Sequence, residues 1–253
     1  METREYFTLR GFEDDYWWYA NLRRLTLAML EKYSRATQHS KMLDIGCGTG
    51  GNLDSLKRRF QGVELFGIDI QPLAVSMTRQ RGHENVFQAS ANKLPFRDET
   101  FDAAVSLDVF CTREVDEIKA FRESYRVLKR DGTLVVNLPA FEFLRGRHDL
   151  AVHTKRRWTA GELSEGLAAA GFSVRRLTYW NLFSFPAVFV KRRFGSLLPV
   201  SESRRSDLRP LPMWINQALR GVAGFERMAL SRFDLPFGTS IFAVAQKTEH
   251  RPT

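Results

Sequence analysis

Apolar and polar positions follow two rhythms along the first 140 residues. Short runs that are apolar almost throughout, Lys41 to Gly46, Val63 to Ile70, Asn85 to Ala89, Phe101 to Leu107 and Gly132 to Leu138, predict strands. Between them the apolar residues recur every three or four positions. Asn52 to Phe60 reads as a helix, and Ile118, Phe121, Tyr125 and Leu128 put one apolar stripe on a helix of about four turns. Strands without a polar face must be covered on both sides, so the alternation predicts an α/β protein with a parallel sheet between helices.

After Leu138 the rhythm loosens. Trp158 to Ala170 reads as a helix, with Leu163, Leu167 and Ala170 on one face and Gly171 ending it. Phe172 to Trp180 and Thr239 to Gln246 read as strands separated by about sixty residues. Within that gap Trp214, Ala218, Val222 and Phe225 stand at helical spacing, which makes Pro212 to Ser231 a helix inserted before the last strand. The tip of this insertion, Pro199 to Pro212, is rich in Ser, Arg and Pro and is expected to be mobile. At the other end Glu13 to Tyr33 is aromatic and then helical. Four aromatic residues in a row, Tyr16, Trp17, Trp18 and Tyr19, cannot all face one core from one element. The row is expected to pack on the sheet edge, with at least one ring capping a pocket or a neighbouring surface. The expected organisation is a helical cap over 1–40, a core over 41–180, a helical insertion or lid over 181–238, and a final strand and tail over 239–253.

Composition narrows the class. A chain of 253 residues with 43% hydrophobic and 26% charged residues is neither disordered nor fibrous. Two cysteines, Cys47 and Cys111, make neither a disulfide framework nor a four-thiolate zinc site, so no metal is expected and the chain reads as cytoplasmic. Met1 to Arg10 lacks a signal-peptide pattern. Leu177 to Val190, interrupted by Asn181 and Pro186, falls short of the roughly 20 residues of a membrane span. Residues 1–140 contain 20 basic and 20 acidic side chains, whereas residues 141–253 contain 18 and 9 and carry the whole net charge of +9. A neutral first part and a basic second part predict two different surfaces.

The sharpest local signal is Met42-Leu43-Asp44-Ile45-Gly46-Cys47-Gly48-Thr49-Gly50-Gly51, an apolar strand running into glycines and then into a helix. Glycines there allow a tight turn and let a ligand touch the main chain. As a bare pattern it also satisfies the dinucleotide fingerprint through Gly46, Gly48 and Gly51, and Asp69 at the end of the second strand would accept ribose hydroxyls under either reading. Asp44 favours one of them: a carboxylate beside a pyrophosphate is repelled, whereas beside a cationic methionine moiety it is complementary. A phosphate-binding P-loop is excluded because no Lys-Ser or Lys-Thr follows the glycines.

Leu43 to Gly50 resembles the first motif of the class I S-adenosylmethionine-dependent methyltransferases of the type 11-like group. Leu94-Pro95-Phe96 with Phe101-Asp102, and Arg126-Val127-Leu128-Lys129 before Gly132-Thr133-Leu134-Val135-Val136, resemble that family's later segments in the same order. The chain departs from the family at Ser90, where an acidic residue is frequent, at Arg130-Asp131-Gly132 in place of Pro-Gly-Gly, and at Asp108, which opens no Asn-Pro-Pro-Tyr type motif. The resemblance implies a Rossmann-like, seven-stranded, mostly parallel sheet with helices on both faces and one reversed strand. Its implied cofactor is S-adenosylmethionine. By the same resemblance Asp44, Gly46, Cys47, Gly48 and Gly50 would line the methionine and ribose part, Asp69 would hold the ribose hydroxyls, and Ile70, Ser90 and Ala91 would edge the adenine. Leu107 or Asp108 would lie under the sulfonium.

Methyl transfer needs an in-line acceptor and, where the acceptor carries a proton, a base. Ligands gather beyond the carboxyl ends of the strands, which points to Arg145 to Trp158 after the fifth strand. His148 and His153 are the candidate bases there, Asp149 a candidate to orient one ring, and Arg156 and Arg157 candidates to grip an anionic acceptor. Trp17 and Trp18 would help enclose it. The expected acceptor is a small or lipid-linked molecule. RNA, suggested by the basic part of the chain, is the alternative partner, and binding of the cofactor without turnover is a further one. The run Leu182 to Phe194, apolar and then basic, fits core packing of an inserted helix or peripheral contact with a membrane.

Overall fold

The computed structural model describes residues 3–194 and 211–248. Seven strands form one sheet: β1 (Lys41–Ile45), β2 (Glu64–Asp69), β3 (Val86–Gln88), β4 (Phe101–Leu107), β5 (Leu128–Pro139), β6 (Phe172–Trp180) and β7 (Ser240–Lys247). Their order is β3-β2-β1-β4-β5-β7-β6. Every pair from β3 to β5 is parallel, and β7 runs antiparallel to both neighbours. β5 is longer than the apolar run that predicted it, because Phe101 pairs with Leu128 ahead of the polar stretch Lys129–Asp131.

Helices cover both faces. On one face α5 (Glu117–Val127) and α7 (Ala160–Ala169) pack Phe121, Val127, Leu163 and Leu167 against Phe101, Leu134 and Ile241. Of the stripe predicted on α5, Ile118 is 57% exposed and Leu128 already belongs to β5. Phe121, Ser124 and Val127 make the buried face instead. On the other face α2 (Trp17–Tyr33) and α3 (Gly51–Arg59) bury Leu22, Leu25, Met29, Leu53 and Leu56 against Met42, Val105 and Val135. Helix α4 (Pro72–Gln80) follows β2.

The remaining elements lie in three places. Helix α1 (Thr3–Phe12) occupies a segment for which no element was expected, and it buries Tyr6 against Ala74 and Met77 of α4. After β5 come a 3-10 turn at Glu142–Leu144 and the short helix α6 (Arg147–Ala151). Between β6 and β7 lie α8 (Phe185–Phe194) and α9 (Met213–Leu230). Most of the Pro199–Pro212 tip lies outside the described residues. Helix α9 packs on α2, and its C-terminal end is fastened to β6 by Arg176, which pairs with Asp234 at 2.7 Å and donates to the Leu230 and Phe233 carbonyls. The predicted stripe of α9 does form on one helix face, but that face points outward: Trp214 is 72% and Phe225 71% exposed. Among the described residues no helix is long and apolar enough to cross a membrane.

Candidate functional site

The chain leaves β1 towards β2 and β3 on one side and returns to β4 and β5 on the other, so a crevice opens where the direction of winding reverses. Ile45 pairs with Ser106 there, which sets the glycine loop after β1 beside Leu107 and Asp108 after β4. A cavity of about 470 Å³ occupies this crevice.

Gly46 and Gly48 turn through left-handed backbone, at φ +78° and +56°. A Cβ on Gly46 would stand 2.2 Å from a methyl of Val109, so both conformation and space require glycine there. The Gly46 and Cys47 amides both donate to the Ile68 carbonyl, each at 2.8 Å, which locks the loop onto β2. Asp69 then accepts from the Gly48 amide at 3.0 Å, the Gln71 amide at 2.9 Å and the Tyr6 hydroxyl at 3.4 Å. Asp44 is buried and accepts from Asn52 Nδ2 at 3.1 Å. Burial pushes its carboxyl up to about 7, against the Asn52 hydrogen bond and helped by the charges of Asp69 and Glu13. Burial also raises Asp69, although its hydrogen bonds oppose the shift. Two buried carboxyl groups in one crevice offer an opposite charge to a cation.

Glu13 was missed on sequence. It lies on the turn between α1 and α2, takes the Thr49 hydroxyl and the Gly51 amide at 3.2 Å, and so places a carboxyl, pushed up to about 7 by burial, at the N-terminus of α3, where Gly50 offers no side-chain cap. Arg81 bridges Glu13 at 2.5 Å, Asp54 at 2.6 Å and Asp14 at 3.1 Å. Arg10 adds a bond to the Thr49 carbonyl at 3.2 Å. This network straps the N-terminal helices over the glycine loop. Tyr6 and Leu9 of α1 consequently line the cavity, and neither was expected to.

The expected cofactor residues Asp44, Gly46, Cys47, Gly48, Asp69, Ile70, Ser90, Ala91, Leu107 and Asp108 all line this cavity. Gly50 does not: at φ +93° it forms the far side of the turn, where a Cβ would meet Thr78 and Arg81.

Tyr16, Trp17, Trp18 and Tyr19 all line the cavity as well, more of the row than expected. The other faces of two rings are packed, Trp17 against Phe183 at 5.3 Å and Trp18 against Trp180 at 5.6 Å. Asp108 sits in left-handed backbone at φ +58°. Its Oδ1 accepts from Asn137 Nδ2 at 2.9 Å, and Asn137 Oδ1 in turn accepts from Trp180 Nε1 at 2.6 Å. Burial pushes the Asp108 carboxyl up to about 7, opposed by the Asn137 bond and the positive charge of Arg157. Non-glycine residues held at positive φ cost energy and gather where geometry serves a site.

The segment after β5 divides. His148, Asp149 and Arg157 line the cavity, whereas His153 and Arg156 do not. His153, in left-handed backbone at φ +59°, meets Glu114 through Nδ1 at 2.9 Å. Arg156 lies over the Trp158 ring at 4.1 Å and pairs with Glu162 and Glu117. Asp149, expected to orient a histidine, accepts two bonds from Arg157, at 2.9 and 3.1 Å, and one from the Gly146 amide at 2.7 Å.

Comparison with known proteins gives three findings. Residues 43–136 match the family described as "Methyltransferase domain". The chain is 35% identical over 137 residues to a demethylmenaquinone methyltransferase of Tropheryma whipplei, a match covering 53% of this chain and 52% of that one. It is 36% identical over 135 residues to a probable tRNA methyltransferase 9B of Bos taurus, covering 52% of this chain and 28% of that one. The chain thus spans about half or less of the length of these curated relatives. Among solved structures, a chain from the complex of the Haloferax volcanii Trm112 methyltransferase activator with a methyltransferase superposes with a TM-score of 0.66 at 20% identity. That match covers 99% of this chain and 97% of the other, and at such identity it speaks for the fold.

Proposed function

We propose that this chain, whose residues 43–136 match the methyltransferase domain family, is a class I S-adenosylmethionine-dependent methyltransferase that methylates a small or lipid-linked molecule held at the aromatic end of its cavity. The observation that carries this reading is one continuous cavity with two chemically different ends: buried carboxylates and glycine backbone at one, four aromatic side chains with Asp108 and His148 at the other. The carboxylate end suits the family's cofactor, since Asp44 and Asp69 complement a cationic methionine moiety and Gly46 lets main chain approach it. When bound, S-adenosylmethionine supplies a methyl group activated by a positive sulfur.

The remaining chemistry falls to the chain's own residues. Tyr16, Trp17, Trp18 and Tyr19 exclude water and offer flat apolar surface to the acceptor. Asn137 fixes one oxygen of Asp108, which lines the cavity, and a carboxyl pushed up to about 7 is matched to taking a proton near neutral pH. His148 is the second candidate for that proton. Peripheral contact with a membrane through residues 182–194 belongs to the lipid-linked form of the reading.

Two measurements test it. Calorimetric titration with S-adenosylhomocysteine should show binding that Asp69→Asn weakens by about tenfold or more, as loss of a charged hydrogen-bond acceptor does. Unchanged affinity would remove Asp69 from the site. Incubation with methyl-labelled cofactor and a fractionated cell extract should label lipid or small molecules, and label confined to RNA would overturn the proposed acceptor.

A further inference from the structure

Helix α9 has its charges on the inside. Its three charged residues, Arg220, Glu226 and Arg227, are half-buried, while all eight of its exposed residues, Met213, Trp214, Gln217, Ala218, Gly221, Val222, Phe225 and Met228, are uncharged. Two of the inward charges are tied down. Arg227 donates to Asn21 Oδ1 at 2.7 Å, and Glu226 accepts the amides of Asn181, Leu182 at 2.9 Å and Phe183 at 3.4 Å, just ahead of α8. A helix on an ordinary surface carries charges outward and its apolar stripe inward. The inversion persists along the helix, which scattered surface apolar residues do not explain.

Exposed aromatic side chains also stand on α8 and on the 3-10 turn packed against it. Phe143 is 57% and Phe189 40% exposed, and they meet at 5.9 Å. Phe185 joins them and reaches Phe237, also exposed, at 6.2 Å. Another part of α8 closes the cavity, since Val188 and Arg192 are among its walls. One helix therefore carries exposed aromatic side chains on the outside and lines the acceptor cavity within. Charge completes the description: residues 181–238 contain nine Lys and Arg against four Asp and Glu.

We infer that the outer faces of α8 and α9 form a docking surface for an anionic lipid bilayer, set beside the cavity so that a lipid-linked acceptor reaches it from the membrane. The inference rests on the lipid-linked reading of the acceptor. Uncharged aromatic and methionine side chains flanked by arginines are the chemistry of interfacial helices, which sink an apolar face into the headgroup boundary and keep cations at its edge. The exposed Arg232 just after α9, together with the excess of Lys and Arg in this segment, supplies the cations. Attraction to anionic lipid then adds to burial of the rings.

The test is co-sedimentation of the full chain with phosphatidylcholine vesicles, with and without phosphatidylglycerol, at low and high salt. The variants are Phe225→Asp with Met228→Asp on α9, and Phe189→Asp on α8, none of which lines the cavity. The wild type should pellet with the phosphatidylglycerol vesicles and lose part of that binding at high salt. Each variant should bind them at least about tenfold more weakly while keeping its affinity for S-adenosylhomocysteine. The inference fails if the wild type stays in the supernatant with anionic vesicles or if both variants sediment like the wild type. It also fails if light scattering finds a dimer that the α9 variant splits, because the face would then belong to a second copy of the chain. Vesicle binding without S-adenosylhomocysteine binding would overturn the proposed function and leave the docking surface standing.

Discussion

The two ends of the cavity are built differently. The carboxylate end is a local construction: a strand, a glycine turn and a helix within residues 41–59, with Asp69 one strand away. The aromatic end is assembled from far-apart pieces, namely α2 and the residue before it, the segment after β5, α8 and the start of β7. The first end must present main chain to a ligand, and its chemistry fixes residue types at fixed spacing. The second needs only bulk, flatness and a few polar groups, which many sequences supply. The family match, residues 43–136, stops before most of the second end begins.

If the aromatic end depends on long-range contacts, breaking one should cost folding energy and not merely a ligand contact. Arg157 is the sharpest case. It and Asp149 are buried, 10% and 2% exposed as side chains, and Arg157 also donates to the Ala140 carbonyl at 3.0 Å. Arg157→Ala leaves Asp149 a buried charge without its guanidinium, and should destabilise the protein by about 3–5 kcal/mol in urea unfolding. A loss below about 1 kcal/mol would mean that this end is a loose surface and not part of the fold.

Next in size is an effect on chemistry alone. Asp108→Asn keeps shape and removes charge, so with a proton-bearing acceptor turnover should fall by about a hundredfold or more while S-adenosylhomocysteine affinity changes little. His148→Ala should cost less. Equal rates in Asp108→Asn and the wild type would leave His148 as the remaining candidate base.

The difference between the ends also explains how much could be read in advance. β4 and β6 were legible to the residue because both are bounded by turns, and the parallel sheet between helices followed from apolar strands alternating with helices. Glu13 and Arg81 were not legible, because their bond joins residues 68 apart and neither has a motif around it. Tyr6, Leu9 and Phe12 recur at three-residue intervals, a faint helical signal that the acidic and basic residues among them obscured. Lys155-Arg156-Arg157 read as one basic run. Only the strand-like bridge from Ala140 to Trp158 turns Arg157 inward and its neighbours out. The inverted face of α9 is a related case: spacing identifies a helix, but which side it buries is decided by what packs against it.

A smaller effect would sharpen the electrostatic account of the carboxylate end. Burial raises Asp44 to about 7, so in the unliganded protein it holds its proton to higher pH than in the unfolded chain. Stability from this group is therefore present at low pH and falls as pH rises towards 7, then levels off. A cation has the opposite preference, since it favours the ionised carboxylate. Affinity for S-adenosylmethionine should rise about tenfold between about pH 6 and about pH 8, with protons released on binding, and Asp44→Asn should flatten the profile. A flat profile in the wild type would mean that Asp44 is ionised throughout.

The smallest expected effect is next door to the largest. Arg156 shares its exposed ion pairs with Glu117 and Glu162, and its guanidinium rests on the Trp158 ring. Solvent screens such pairs, and holding a long side chain in place costs entropy, so Arg156→Ala should lower stability by no more than about 1 kcal/mol, most of it from lost contact with the ring. Arg156→Lys, which keeps the charge but loses the planar stacking, should then lose nearly as much as Arg156→Ala. If Arg156→Ala instead abolished turnover at unchanged stability, Arg156 would act on the acceptor after all, from outside the cavity as the unliganded chain shapes it, and the aromatic end would have to rearrange when the acceptor binds.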